Sequence, residues 1–367
     1  MSLLTPKILT QLDMPNWVGQ RTATFKFILI NAVKAQRPIE LHPLKEPIPT
    51  LSHDTTRTIK RQIQGLSFGV DESALINVVQ SRILLYMVIG GQSFPLGRYM
   101  FADRTGFTFT NGEIINALLY DEMFIVDQQI ETGFSPHGDP DLADTGGGGM
   151  QCAHAIEVLL RNLPVVIDIA SSPFSTIGSW TAGTSRGQIV EQIALDGDYF
   201  SPWFGNDTKM HFIRTFDPAA VIPTFDLDVG NRVIRSSIIE SDDLLTAPNR
   251  FIVISNGSTT TDGAAIPIVG RADVPTTAPH SIVNRGFVIP SVSERQVGTE
   301  QQVASIARNL ALRQTIFERV ELATPPDPRH DAYDVIKWQG EKWLELTWTL
   351  PLQEGAAMGH LMRKAYS

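Results

Sequence analysis

Residues 316–352 read IFERVELATPPDPRHDAYDVIKWQGEKWLELTWTLPL, and the periodicity of this stretch decides the fold class. Ile316, Val320 and Leu322 sit among charged residues, the pattern of a half-exposed strand over 316–323. Pro325-Pro326-Asp327-Pro328 then makes a rigid turn. Tyr333, Val335 and Ile336-Lys337-Trp338 predict a second strand, Gln339 to Lys342 a hairpin turn, and 343–350 a third strand. In that third strand Trp343, Glu345, Thr347 and Thr349 alternate with Leu344, Leu346, Trp348 and Leu350. Such a period of two puts successive side chains on opposite faces of a sheet.

Asp327, His330 and Asp331 in the middle of this unit suggest either an acid-base group or a corner. No second histidine or nucleophile stands beside them, and three prolines surround them, so we read a turn that caps strands through side-chain bonds to the backbone.

The chain before this unit divides into three. Residues 23–31 (ATFKFILIN) predict a strand with Phe25, Phe27 and Leu29 on one face. The four prolines of 37–52 predict an extended connection with edge-strand pieces. Strands are expected over 58–66, 82–89 and 97–102, with Asp71-Glu72-Ser73 capping a short helix over 74–80. Residues 132–149 are a loop by composition, and 150–163 form an amphipathic helix with Ile156, Leu159, Leu160 and Leu163 on one face. Val165 to Ile169 reads as a compact buried strand, and Ser185 caps a helix over 188–195 that ends at Asp196-Gly197.

Strands return at 210–215, 232–240 and 250–255, the last followed by an Asn256-Gly257-Ser258 turn and an irregular surface excursion. Thr299 and Gln302 form a capping box for a helix over 300–313, with Val303, Ile306, Ala307, Leu310 and Ala311 as its buried stripe. The expected class is α+β, mainly β. A first β-rich domain spans 1–132, an α/β domain 133–205, and a second β-rich domain 206–367, with its excursion at about 257–285 and its helix at about 300–313. Residues 352–367 read as a short helix-like tail.

Composition narrows function. The chain has 367 residues, 43% of them apolar, and a formal net charge of −9. That charge disfavours a general nucleic-acid binder, which needs a basic stripe to displace counterions, but suits a wall that DNA slides past. Cys152 is the sole cysteine, so an intrachain disulfide and a multi-cysteine zinc site are excluded. The longest apolar run, Ile83 to Ile89, is far below the roughly 20 residues of a membrane helix, and no secretory signal is visible.

Other chemical candidates are weak. Gly146 to Gly149 precede a helix, but neither a Gly-Lys-Ser/Thr ending nor a spaced G-x-G-x-x-G accompanies them, so a linker is expected. Asp139, Asp141 and Asp144 lack the bidentate glutamate of an EF-hand and read as an exposed acidic loop. His137, His154, His211, His280 and His360 are scattered, with no pair at zinc-helix spacing, and Met87, Met100, Met123 and Met150 read as core fillers. No G-x-S-x-G elbow occurs. We assign no catalytic, cofactor-binding or metal residue, and expect no enzyme and no cofactor.

Several segments in combination resemble the hub family of long-tailed bacteriophages, the minor tail or baseplate hub proteins also called tail-associated proteins. They are RTIKRQIQGLSFGVDESALINVVQSRILLYMVIGGQSFPLGRYMFAD (57–103), the Gly-rich loop and its helix, and SSIIESDDLLTAPNRFIVIS (236–255). To these belong SIVNRGFVIPSVSERQVGTEQQVASIARNLALRQ (281–314) and TPPDPRHDAYDVIKWQGEKWLELTWTLPLQEGAAMGHLMRK (324–364), so the resemblance runs from about residue 50 onward.

The resemblance implies a structural virion protein at the tail tip, assembled in the host cytoplasm. Its subunits form homotrimers, each carrying two tail-tube-like β-barrel domains with α/β portions outside, and together close the six-fold tube around an axial channel for the genome. The implied partners are a distal tail protein ring, the tape-measure protein in the lumen and further minor tail or receptor-binding proteins. DNA only passes through, and no stable membrane association is implied. Unlike larger members, this sequence has almost nothing after the hub, which leaves wall cleavage and receptor binding to neighbours. The alternatives are a cell-wall-acting hydrolase using Asp327, His330 and Asp331, or a carbohydrate-binding β module.

Overall fold

A computed structural model describes residues 23–31, 37–102, 108–110, 113–136, 149–229, 233–239, 246–259, 265–313 and 318–366. The first part of the chain contributes β1 (Thr24–Ile30), β2 (Ile39–Leu41), β3 (Thr50–Asp54), β4 (Arg61–Phe68), α1 (Val70–Ser73), β5 (Arg82–Ile89), β6 (Gln92–Phe101), β7 (Thr108–Thr110), β8 (Glu113–Tyr120) and α2 (Met123–Val126). The middle holds β9 (Met150–Gln151), α3 (Cys152–Leu160), β10 (Ile167–Ile169), β11 (Ser175–Thr176), α4 (Arg186–Asp196), β12 (Trp203–Phe204) and β13 (Met210–Phe212). Then come β14 (Phe225–Asp226), β15 (Arg235–Ile239), β16 (Arg250–Thr259), β17 (Ala265–Asp273), α5 (Ile282–Arg285), β18 (Pro290–Arg295), α6 (Glu300–Leu312), β19 (Arg319–Thr324), β20 (Val335–Trp338), β21 (Glu341–Pro351) and β22 (Met358–Lys364).

Mainly β with helices to the sides, the class matches the expectation. The arrangement of its strands does not follow chain order. A 14-stranded sheet runs β15-β19-β22-β21-β3-β4-β8-β6-β5-β1-β2, with β14, β20 and β7 paired off this path. Strands from both ends of the chain thus share one sheet, joined where β21 pairs antiparallel with β3, Trp348 opposite His53 and Leu350 opposite Leu51. The path runs from β15 to β2 without closing into a barrel among the described residues.

Two further units flank it. β10, β13 and β12 make a small sheet, packed with α3 and α4 around Ile156, Ile189, Ile193 and Phe212. β17, β16 and β18 form the other, covered by α6 through Val253, Val303 and Ile306.

Several expectations are corrected here. β3 is an interior strand and not an edge piece, because β21 arrives from almost 300 residues away to cover it. The early helix lies at Val70–Ser73, on its acidic residues, and 74–80 is a series of turns. β10 is an edge strand with Val166 just before it 55% exposed, so 165–169 is not buried. Asn256-Gly257-Ser258 does not turn the chain. β16 continues through it with a register shift between Ser255 and Ser258, and the supposed excursion contains β17, its nine-residue partner.

The pattern of β17 is broken by Pro267 and Gly270, and Gly270 is there for packing. A Cβ on it would lie 2.5 Å from the Val303 carbonyl carbon, so the α6 backbone rides directly on this residue. Thr299 caps α6 as expected by accepting from the Gln302 amide, but the Gln302 side chain does not return to complete a box. It donates to the Ser175 and Asp196 carbonyls and ties α6 to the middle unit. The tail is also no helix: Met358, His360 and Met362 alternate inward along β22, which sits between β21 and β19. Among the helices of the described residues, none is long and apolar enough to cross a membrane.

Candidate functional site

The opening stretch becomes β19, a corner, and the β20-β21 hairpin. The strand over 316–323 begins at Arg319; Ile316 lies outside the described residues. Its third strand keeps the predicted alternation from Leu346 onward, with Thr349 exposed between buried Trp348 and Leu350. Before that it does not: Trp343, Leu344, Glu345 and Leu346 are all buried. A register shift between Glu345 and Thr347, together with three neighbours, covers both faces there. β21 pairs with β20, β22 and β3, so both of its edges are covered.

The corner at 325–334 is the point where the three parts of the chain meet. Arg61, on β4 and 1% exposed, reaches across it. Its Nη2 donates to Asp331 Oδ1 at 2.6 Å, its Nη1 to Asn206 Oδ1 at 2.6 Å and to the Leu96 carbonyl at 3.3 Å, and its Nε to His53 Nδ1 at 3.2 Å. Asp331 Oδ1 also accepts from the Trp203 indole at 2.7 Å. Asn206 in turn donates to the Pro328 and His330 carbonyls, at 3.1 and 3.0 Å.

Trp348 closes the floor. Its Nε1 donates to the Asp331 carbonyl at 3.0 Å, His53 stacks on its ring at 5.6 Å, and the Arg61 guanidinium lies 5.4 Å from its centroid. Burial opposes the charge of Arg61, but Asp331, Tyr99 and Asp121 outweigh it and raise its pKa. The same burial, with Arg61 and Lys60 nearby, holds the His53 pKa well below the usual histidine range. Tyr333 takes a φ of +61°, uncommon for an aromatic residue, and is held there by a stacked Phe200 at 4.3 Å and a hydrogen bond to the Ser201 carbonyl.

Beside this lies a second buried group. His330 Nδ1 is 3.1 Å from Glu345 Oε2 and 3.6 Å from Asp334 Oδ2, and His360 Nδ1 is 2.5 Å from Glu345 Oε1. Burial alone would discharge His330, but Glu345 and then Asp334 push its pKa up to about 10. Burial would likewise raise Glu345, yet His330 and His360 hold it down to about 2. Phe225 stacks on His330 at 4.0 Å and shuts the group from above.

The residues the sequence singled out therefore separate. His330 and Asp331 face different networks, Asp327 is bound by Arg329 in a two-toothed pair beside them, and His360 arrives from β22. Glu345 and Arg61 carry no sequence signal, because a lone charged residue in a strand reads as solvent-facing. Their partners are 15 and 270 residues away.

Elsewhere, His154 is exposed beside Glu157, and His211 stands between Asp168 and Asp207, whose bonds raise its pKa against the pull of burial. His280 is buried. Met87, Met100, Met123 and Met150 are buried. His137, Asp139, Asp141, Asp144 and Gly146 to Gly148 lie outside the described residues; Gly149 is described and packs against the Thr176 carbonyl. Cys152 is buried, which raises its thiol pKa.

The fold is that of phage tail proteins. The 43 kDa tail protein of prophage MuSo2 from Shewanella oneidensis matches over 93% of this chain and 98% of its own, with a TM-score of 0.54 at 9% identity. A tail protein from Neisseria meningitidis matches over 94% and 100%, with a TM-score of 0.57 at 11% identity. Prophage tail protein gp18 from Listeria monocytogenes matches over 93% and 95%, with a TM-score of 0.54 at 10% identity. No family model matches the sequence, and no curated protein matches it.

Proposed function

We propose that this chain is a structural subunit of a phage tail tip, a hub that closes the tail tube as a homotrimer around an axial channel for the genome. The observation that carries this reading is the match of almost the whole chain to almost the whole of three tail proteins, so no large part of the fold is left for another task. In this reading 1–132 and 206–367 supply the tube-like parts and 133–205 the α/β part. The outer strands β15 and β2 are where copies meet. β15 exposes Ile238, with Ile234 just before it, beside an edge unpaired among the described residues, a combination that favours pairing with another chain.

The acidic charge suits a channel wall that repels phosphate and does not hold DNA. A distal tail protein ring, the end of the tape-measure protein and further minor tail or receptor-binding proteins are the partners, in the virion after assembly in the host cytoplasm.

The hydrolase alternative needs Asp327, His330 and Asp331 to be available to a substrate. Asp331 accepts from Arg61, Trp203 and the Ala332 amide, Asp327 is held by Arg329, and His330 is 4% exposed under Phe225. These contacts favour a structural corner.

Electron microscopy of assembled tails tests the proposal. The expected result is three copies of this chain around an axial pore. A single copy off the axis, or six copies of the chain in one ring, would refute it.

A further inference from the structure

We propose that His330, Glu345 and His360 form a binding site for one divalent transition ion of the zinc class, which locks the corner to β21 and β22. The three side chains are buried, and each offers a donor atom within 4.8 Å of the others. Asp334 Oδ2 stands beside the group, 3.6 Å from His330 Nδ1, and adds a second negative charge next to it. With metal bonds of about 2.0–2.2 Å, donors on a tetrahedron stand about 3.3 Å apart. Glu345 stands 2.5 Å from His360 Nδ1 through Oε1 and 3.1 Å from His330 Nδ1 through Oε2, so small outward shifts of the donors would admit the ion.

The hydrogen bonds around His360 carry the argument further. The Thr324 hydroxyl donates to the Pro325 carbonyl at 3.1 Å and lies 2.8 Å from His360 Nε2. With that proton committed, the hydroxyl accepts from Nε2–H, and Nδ1 is the ring nitrogen aimed at Glu345 Oε1. Nδ1 and Oε1, 2.5 Å apart, share one cation between them, a proton or a metal ion. His330 Nδ1 faces two carboxylates, Glu345 and Asp334, together. A metal ligand imidazole whose second nitrogen donates to a neighbouring acceptor is the usual arrangement of such sites.

The charges agree. Glu345, its neighbour Asp334 and two metal-bound neutral imidazoles sum to −2, and one divalent ion brings the buried group to zero. Imidazole and carboxylate together suit zinc, cobalt or nickel, while magnesium demands octahedral oxygen coordination.

The test uses the full chain, unfolded in a chelator and refolded with zinc, cobalt or magnesium. Expected are about one zinc per folded chain by elemental analysis, the visible spectrum of four-coordinate cobalt, and a melting temperature raised by zinc but not by magnesium. His360→Gln and Glu345→Gln should lose the ion, and His211→Gln, which alters an unrelated histidine, should keep it. Thr324→Val leaves all donors in place and should weaken zinc about tenfold or more. It decides the matter if the ligand variants do not fold. Folded wild-type protein that takes up neither zinc nor cobalt would overturn the proposal, as would zinc retained by His360→Gln or lost by His211→Gln.

Discussion

Replacing Trp348 tests the junction most directly. Its side chain is 1% exposed and belongs to the core formed with Leu51, Ile63, Leu66 and Leu350. Removing a buried tryptophan down to alanine costs about 3–5 kcal/mol through lost burial and the cavity left behind. Here two further losses follow. The Asp331 carbonyl is deprived of its donor at 3.0 Å, worth about 1 kcal/mol or more when buried, and Arg61 and His53 lose the ring they pack against. Trp348→Ala should therefore fall at or above the top of the usual range, about 4–6 kcal/mol.

Trp348→Phe keeps a ring and forfeits only the hydrogen bond and part of the volume, so about 1–2 kcal/mol is expected. Thr349→Ala, one residue on and exposed, should change stability by less than about 0.5 kcal/mol. Urea unfolding followed by circular dichroism reads all three. Because Arg61 touches the same ring, Arg61→Met combined with Trp348→Ala should be less damaging than the sum of the two. A loss below about 1 kcal/mol for Trp348→Ala, or strict additivity with Arg61→Met, would refute the account of this corner as a shared core.

Three other outcomes are expected. Burial raises the Asp196 carboxyl from 3.8 to about 7, and its Oδ1 has no hydrogen-bond partner. The folded state therefore holds this proton more tightly than the unfolded one, so the carboxylate penalises folding increasingly as pH rises from about 4 through 7. Asp196→Asn should stabilise the protein at pH 8 by up to about 4 kcal/mol and by little at pH 4; a melting curve showing no gain at pH 8 would contradict it. Gly270→Ala places a methyl group 2.5 Å from the α6 backbone and should cost about 1–3 kcal/mol, read as a lower melting temperature, with unchanged stability as the refuting result. Gln302→Ala cuts two bonds from α6 to the middle unit and should cost about 1–3 kcal/mol, since the Asp196 and Ser175 carbonyls lose a donor; denaturant unfolding checks it.

Much of the local structure is legible in the amino-acid order alone, since the signals are local. Alternation over 24–30 and 82–89, the Ser185 and Thr299 caps, and the apolar stripe of α6 each lie within a dozen residues. Where a proline, a glycine or a short length masks the pattern, as in β17 and β22, the strand appears only once a partner is present. β17 is recognised by β16, and β22 by β19 and β21.

The stretch 316–352 shows the division within one segment. Its strands, its turn at Gln339-Gly340 and its proline corner follow from the sequence, because backbone preferences and period-two burial are properties of neighbours in the chain. The roles of Arg61, Glu345 and His360 do not. A charged side chain on a strand can face water or a partner, and only the pairing of β21 with β3 and β22 brings those partners within hydrogen-bond distance. The tertiary structure alone decides that the two ends of the chain share a sheet, because strand pairing across nearly 300 residues has no local signature.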